Sequence, residues 1–527
     1  MKTKFSRRTV AGLFALCLSA CAHNPAAPTT AAHAGSQAAP AADVNAALAP
    51  DVLATCQRAS TETVAGHFAE AVRLTNACLA SPNLPVPMRV FALQRLTLLD
   101  MTLHDERSAL DAQLAAIELT SEPKDLQLLL LAHLYEINQR GDESLATLER
   151  IRTRHDAAHD LDWQVGGPYY LQRGATLALL GRNQDAIAAL NRAVELQPAS
   201  ADAYYRRAQA REASGDAAGA RVDYTQFARW ALDLAIDAPK RAKLTSLGID
   251  PAVERRHPFG SANPLRDLAV QSLDKGREAL KTASTPQAKA AAYSDIAAFS
   301  DNLDHHTDAL AAIDKAIALA PDDIDYPQSK VTTLVALNRL DAALALAAPL
   351  RQQARDKAAG AAKPGAVYAA YSEVYSSVAE AYMQQGKWAE AIDALTDNAK
   401  GADQSDQDYM ATLYLYVRAR SAGAAPASKF FDDYIQHNAQ PAFGNYRRWL
   451  LLYMQGRATP DQVYVQLTVL PSPLAIQNGL AEIWFMAAAY QRYVKHDNSA
   501  ADAYVKRLND LQPYGTHEWS MAQRGGA

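Results

Sequence analysis

Between Pro168 and Leu234 the chain echoes itself at an offset of 34 residues, with Tyr170 returning as Tyr204, Gly181 as Gly215 and Ala186 as Ala220. Gly174, Leu177, Leu190, Ala193 and Pro198 surround the first copy; Ala208, Tyr224 and Phe227 surround the second. Small residues at Gly174 and Ala186 let two antiparallel helices approach closely, while Tyr170, Leu177 and Leu190 fill the space between them. A unit of this length cannot bury its apolar face alone, so it must stack on neighbours. From Asp51 onward the apolar spacing is helical almost throughout, and no stretch shows the period-two pattern of strands. An all-α solenoid is the expectation.

The order of these residues resembles the tetratricopeptide (TPR) repeat. The resemblance implies a TPR-like α-solenoid of helix–turn–helix repeats, roughly ten helix pairs long, that binds partners along a concave face. Degenerate repeats are expected before the two clear copies: Gly66 with Ala71, then Ala109, then Gly141 with Ala146. Array-like sequence resumes with Tyr293, Ala297, Ala309, Ile313, Ala316 and Pro321, then Ala343. The strongest late repeat carries Tyr375, Ala379, Tyr382, Gly386, Ala391 and Leu395. Gly248, Pro251, Pro258, Gly260 and Pro264 crowd the intervening stretch with helix breakers. This divides the chain into an N-terminal array over 51–238, an irregular connector over 239–265 and a C-terminal TPR-like array over 266–527.

Residues 1–20 read as a processing signal rather than as fold. Lys2, Lys4, Arg7 and Arg8 form a basic start, and the apolar stretch 11–20 is too short to span a bilayer. It ends in Leu18-Ser19-Ala20-Cys21, which resembles the lipobox of bacterial lipoproteins. The resemblance implies cleavage before Cys21, acylation of its thiol, and more than one acyl chain, enough for stable anchoring. Ala22 is not the Asp that resembles an inner-membrane retention signal, so the expected address is the periplasmic face of the outer membrane. Ser6-Arg7-Arg8 leaves twin-arginine export open beside the general route. Residues 21–50, rich in Ala, Pro and Thr, read as a tether.

The leader carries four basic and no acidic side chains, so its loss makes a formal charge of −5 more negative still. A mildly acidic surface argues against nucleic acid or anionic lipid as the main partner. The lipid is then the expected membrane contact. Cys17 leaves with the leader, and Cys56 and Cys78 fall on the facing helices of one repeat. They either pair as a disulfide, worth about 3 kcal/mol in the chain-entropy model, or remain two buried thiols that act as small apolar residues.

A second resemblance lies in the last segment: Leu413-Tyr414-Leu415-Tyr416, Trp449, Leu452-Tyr453, Gly456, Glu482, Phe485, Tyr490, Ala500-Ala501, Tyr504, His517-Glu518-Trp519 and Ala522. Their order is similar to the C-terminal half of NlpI-type outer-membrane lipoproteins, TPR adaptors that dock peptidoglycan hydrolases and a periplasmic protease. Ala488 stands where that family prefers Gly, and Lys495-His496 replaces its usual turn Gly. Shared architecture is implied more strongly than shared partners.

No phosphate-binding loop, HExxH or GxSxG motif occurs. His155 and His159 have i,i+4 metal-ligand spacing, but a helix end with solvated Asp156 and Asp160 explains them as well. Asp304-His305-His306 reads as a repeat turn with Thr307 as N-cap. Arg255 and Arg256, within Val253–His257, read as a solvated loop, with docking to an acidic partner as the alternative. Neither catalytic residues, a cofactor nor a metal is expected. The first helix of each TPR repeat lines the groove, which selects Asp202, Tyr205, Gln209 and Glu212 in the second clear copy and Glu373, Ser376, Glu380 and Met383 in the late repeat. They lack the Lys and Asn of the family's carboxylate clamp, and suit an extended peptide with basic or amide-rich side chains. The expected function is a lipid-anchored adaptor for envelope proteins such as peptidoglycan enzymes or proteases. The alternative is a pilotin-like assembly or secretion chaperone for an outer-membrane oligomer.

Overall fold

The computed structural model describes residues 50–155 and 161–527. The leader, Cys21 and nearly all of the tether lie outside the described residues, as do 156–160 with His159. Among the described residues there are 27 α-helices and no strand. The chain is an all-α, TPR-like solenoid, and it divides into one unit ending at Ile249 and another beginning at Asp250. No helix among the described residues is long and apolar enough to cross a membrane.

The first unit stacks five helix pairs: Pro50–Val64 with Phe68–Leu79, Val86–Leu103 with Glu106–Glu118, Asp125–Ile137 with Gly141–Arg152, Trp163–Leu179 with Asn183–Leu196, and Ala201–Ala213 with Ala217–Trp230. Cys56 and Cys78 form a disulfide across the first pair. Leu244, Leu247 and Ile249 pack on Tyr224 and Phe227, so the helix Ala238–Ser246 closes the apolar end of the stack.

One local rule builds the repeats. A residue with positive φ ends the first helix, and five positions later a small residue is buried where the second helix meets the first. Gly181 is followed by Ala186, Gly215 by Ala220 and Gly386 by Ala391. The pairs Gly66–Ala71, His104–Ala109, Asp304–Ala309, Asn338–Ala343 and His496–Ala501 obey it too. At Gly181 the next amide, that of Arg182, donates to Leu177 O at 2.9 Å, and that of Lys387 donates to Tyr382 O at 2.9 Å. This six-to-one bond satisfies a carbonyl that the helix end would leave bare.

The rule corrects the third repeat. Its turn residue is Gln139, with φ of 63°, and its buried small residue is Ser144, not Gly141 and Ala146. Gly141 instead opens the second helix, tight against Leu180. Ser144 is tolerated at zero exposure because its hydroxyl reaches Ala132 O and Thr176 Oγ1, each at 2.8 Å.

The stretch 239–265 is more ordered than its breakers suggest. Pro239, Pro251 and Pro264 all sit in first turns, where a missing N–H costs nothing. Asp237, Asp250 and Asn263 cap those turns by accepting from Lys240, Ala252 and Arg266 amides. Arg255 folds back and donates to Pro251 O at 3.1 Å. Thr307 is not an N-cap; His305 holds that position without a side-chain cap bond, and His306 Nδ1 lies 2.7 Å from Asp301.

The second unit is not simply the expected run of pairs. Pro286–Asn302 packs with His306–Leu319, Asp325–Ala336 with Leu340–Ala359, and Ser372–Gln385 with Trp388–Ala399. Gln404–Arg420, Lys429–Asn438, Tyr446–Met454, Pro460–Thr468, Pro473–Tyr490, Asn498–Leu511 and His517–Gln523 follow. Here polar pairing replaces strict periodicity. Fully buried Asp408 accepts from Arg448 Nε at 2.9 Å, Tyr434 OH at 2.8 Å and Asn445 Nδ2 at 3.1 Å. Buried Glu482 accepts both arms of the Arg447 fork, at 2.8 and 3.1 Å. The unit also closes on itself: Gln477 accepts from Leu265 N at 2.9 Å and donates to Asn263 Oδ1 at 3.0 Å.

Candidate partner-binding surface

In the first unit, the face built from first helices is partly locked and partly open. Arg206 reaches back to Glu136 at 3.2 Å, and His133 Nδ1 lies 3.4 Å from the other oxygen of that carboxylate. Burial alone would raise Glu136; Arg206 and His133 outweigh it and hold the group at about 2. Arg207 grips Asp223 with two bonds of 2.7 and 2.9 Å, and Arg211 adds a third at 2.8 Å. Asp223 is fully buried, so these arginines are committed to packing.

The four residues selected in the second clear copy do not behave alike. Tyr205 packs its ring 4.9 Å from Phe227 and 5.7 Å from Tyr224, with the Lys240 ammonium 5.3 Å over it. It is a half-buried packing residue. Gln209 is exposed, and Asp202 is partly exposed one turn and more before it. Glu212 is exposed, accepts from Tyr224 OH at 3.1 Å and pairs with Lys243, which lowers its pKa. Asp202, Gln209 and Glu212 therefore form a polar strip edged by Lys243.

The corresponding strip of the late repeat is different, and the expectation of an unoccupied face fails there. Met383 and Glu380 are buried. Ser376 accepts from Asn398 at 2.9 Å, and Glu373 accepts from Thr332 and Ser329 of the preceding first helix. Glu380 is covered by the segment around His517–Gln523: His517 Nδ1 lies 2.7 Å from Oε2, and Ser520 donates to Oε1 at 3.3 Å. Burial would push His517 down; the Glu380 carboxylate outweighs it and raises the imidazole to about 9. A groove assigned from one repeat's register could not anticipate a segment arriving from 137 residues away.

Of the metal candidates, His155 Nε2 is 2.8 Å from Asp125 Oδ2, an ion-pair contact between repeats. No cluster of three metal-ligating side chains occurs among the described residues.

Comparison with known proteins agrees with this geometry where the echo is clearest. Residues 174–215 match the family model described as TPR repeat. No curated protein sequence matches the chain. Among solved structures it is similar to a thermophilic TPR protein of Thermus thermophilus, at 18% identity over 37% of this chain and 98% of that one, with a TM-score of 0.27. It is also similar to Naa15/Naa10 bound to HypK, at 14% identity over 90% and 86% of the two chains with a TM-score of 0.30. A third similarity is to the TPR2AB domain of yeast Sti1 in an HSP90 complex, at 19% identity over 47% and 98%, with a TM-score of 0.19. TPR arrays in general present extended concave surfaces to protein partners.

Proposed function

We propose that the protein is a lipid-anchored adaptor on the periplasmic face of the outer membrane, gathering envelope proteins such as peptidoglycan enzymes or proteases. The reading is supported by the combination, in one chain, of a Leu18-Ser19-Ala20-Cys21 stretch that resembles a lipobox with a repeat array that presents an open polar strip at Asp202, Gln209 and Glu212. The lipid supplies location, and the array supplies a face long enough to hold an extended partner segment. The similarity of the last segment to NlpI-type lipoproteins supports an adaptor role. The strip's carboxylates suit a peptide with basic or amide-rich side chains.

The test has two arms in intact cells. Cys21→Ser is expected to abolish membrane fractionation or leave the precursor uncut. A photo-crosslinker replacing Gln209 is expected to capture several soluble envelope enzymes; capture of a single membrane oligomer would instead select the pilotin-like role. Unchanged fractionation of Cys21→Ser removes the anchoring half, and crosslinking to no protein removes the adaptor half.

A further inference from the structure

The second unit carries its own ligand-like segment. From Pro513 to Gly526 the chain packs on Pro473–Tyr490 and reaches four further helices that are not consecutive in the chain. Gly515 presses on Asn302, where an added Cβ would lie 2.8 Å from the side-chain carbon. Arg524 donates to Ala336 O at 2.5 Å. His517 and Ser520 meet Glu380 as described, and the Arg524 guanidinium stands 3.6 Å from the same carboxylate. Glu518 accepts from Tyr409 OH, and Gly526 O accepts from Tyr416 OH at 2.7 Å. Asn302, Ala336, Glu380 and Tyr409 lie on the helices Pro286–Asn302, Asp325–Ala336, Ser372–Gln385 and Gln404–Arg420. Counted from the buried Ala391 and Ala220, Glu380 and Gln209 hold the same repeat position. Gln209 is open to solvent, whereas Glu380 is covered.

Although Trp519 and Met521 of this segment are buried, three features distinguish its polar face. Gln512, with positive φ, separates the segment from the helix Asn498–Leu511, and Gly515, also of positive φ, turns it again before His517–Gln523. Beside the buried Trp519 and Met521, its grip is made by charge and hydrogen bonds, and 42% of the His517 side chain remains exposed. The fit is also incomplete, because Arg524 Nη1 is buried without a hydrogen-bond acceptor.

We propose that residues 513–526 are an intramolecular occupant of a peptide-binding groove, displaced by a partner helix of the same chemistry. That helix would bring one cation to Glu380, a guanidinium to the Ala336 carbonyl and a carboxylate to Tyr409. The inference rests on the reading that first-helix faces receive partner segments, but not on anchoring or on the first unit's strip.

A fluorescein-labelled peptide of residues 512–526 tests it, titrated into the purified full chain and into His517→Ala/Arg524→Ala. An occupied groove taxes an incoming ligand by the fraction of time it is free, so the double variant is expected to bind the peptide about tenfold more tightly or better. Hydrogen exchange should show faster amides in 513–526 while Ser372–Gln385 and Trp388–Ala399 keep their protection. Adding Glu380→Gln to the double variant should abolish the gain. Unchanged peptide affinity with a loosened segment overturns the proposal, and so does loss of protection throughout the second unit, which would make the segment part of the core. Neither result bears on Cys21 fractionation or on crosslinking from position 209.

Discussion

Gly174 and Leu190 touch across the helix pair Trp163–Leu179 and Asn183–Leu196 so closely that a Cβ on Gly174 would overlap the Leu190 side chain at its branch point. The second copy holds Ala208 at the matching position, fully buried. Gly174→Ala is therefore expected to cost about 1–3 kcal/mol, the usual penalty of overpacking. Ala186→Leu, at a second zero-exposure contact of the same pair, should cost as much. Because solenoid stability is local, hydrogen exchange should accelerate in the neighbouring repeats and leave the second unit unchanged. Uniform acceleration would contradict the argument.

The Cys56–Cys78 bridge closes a loop of 22 residues between the first two helices. Reduction, or Cys78→Ala, should remove about 3 kcal/mol in the chain-entropy model. The loss should be confined to the first helix pair. Thiol labelling of the unfolded, unreduced protein should find neither Cys56 nor Cys78 free.

Asp408 is fully buried and holds Arg448, itself buried. Asp408→Ala leaves that guanidinium uncompensated, and the expected cost is about 3–5 kcal/mol. Replacing Gln209, exposed on the first unit's strip, should change stability hardly at all while weakening partner capture. Chemical denaturation of the two variants separates the cases. Glu380→Ala belongs with Asp408 rather than with Gln209, since its carboxylate is buried under His517, Ser520 and Arg524.

The His517 clamp has a pH dependence with a defined sign. The groups facing it are Glu380, Glu518 and Glu373. With its pKa raised to about 9, its contribution is complete below the ordinary value of 6.5 and is lost as pH rises through about 9. Glu518, raised to about 7 by burial and by Glu482, acts in the same direction between 4.5 and 7. Protection of residues 513–526, corrected for intrinsic exchange, should therefore fall on going from pH 6 to pH 9. In His517→Ala the upper part of that decline should vanish. A segment that tightens as pH rises would refute the assignment.

The sequence alone determined the repeat and its packing logic. The 34-residue echo, with Gly181, Gly215, Ala186 and Ala220 in register, required helix pairs, because no other arrangement buries that spacing. It concealed the turns at His104, Gln139 and Asn338, where residues other than Gly accept a left-handed conformation that the six-to-one bond and packed helices maintain. It also made Pro239, Pro251 and Pro264 look like breakers, although each begins a helix behind an acidic or amide cap. Only the tertiary structure decided which first-helix face is open. Gln209 and Glu380 hold equivalent positions, yet one faces water and the other lies beneath His517. Local spacing encodes which side of a helix faces its neighbour, whereas long-range pairings such as Gln477 with Asn263 and Arg524 with Ala336 become visible only once the chain has closed on itself.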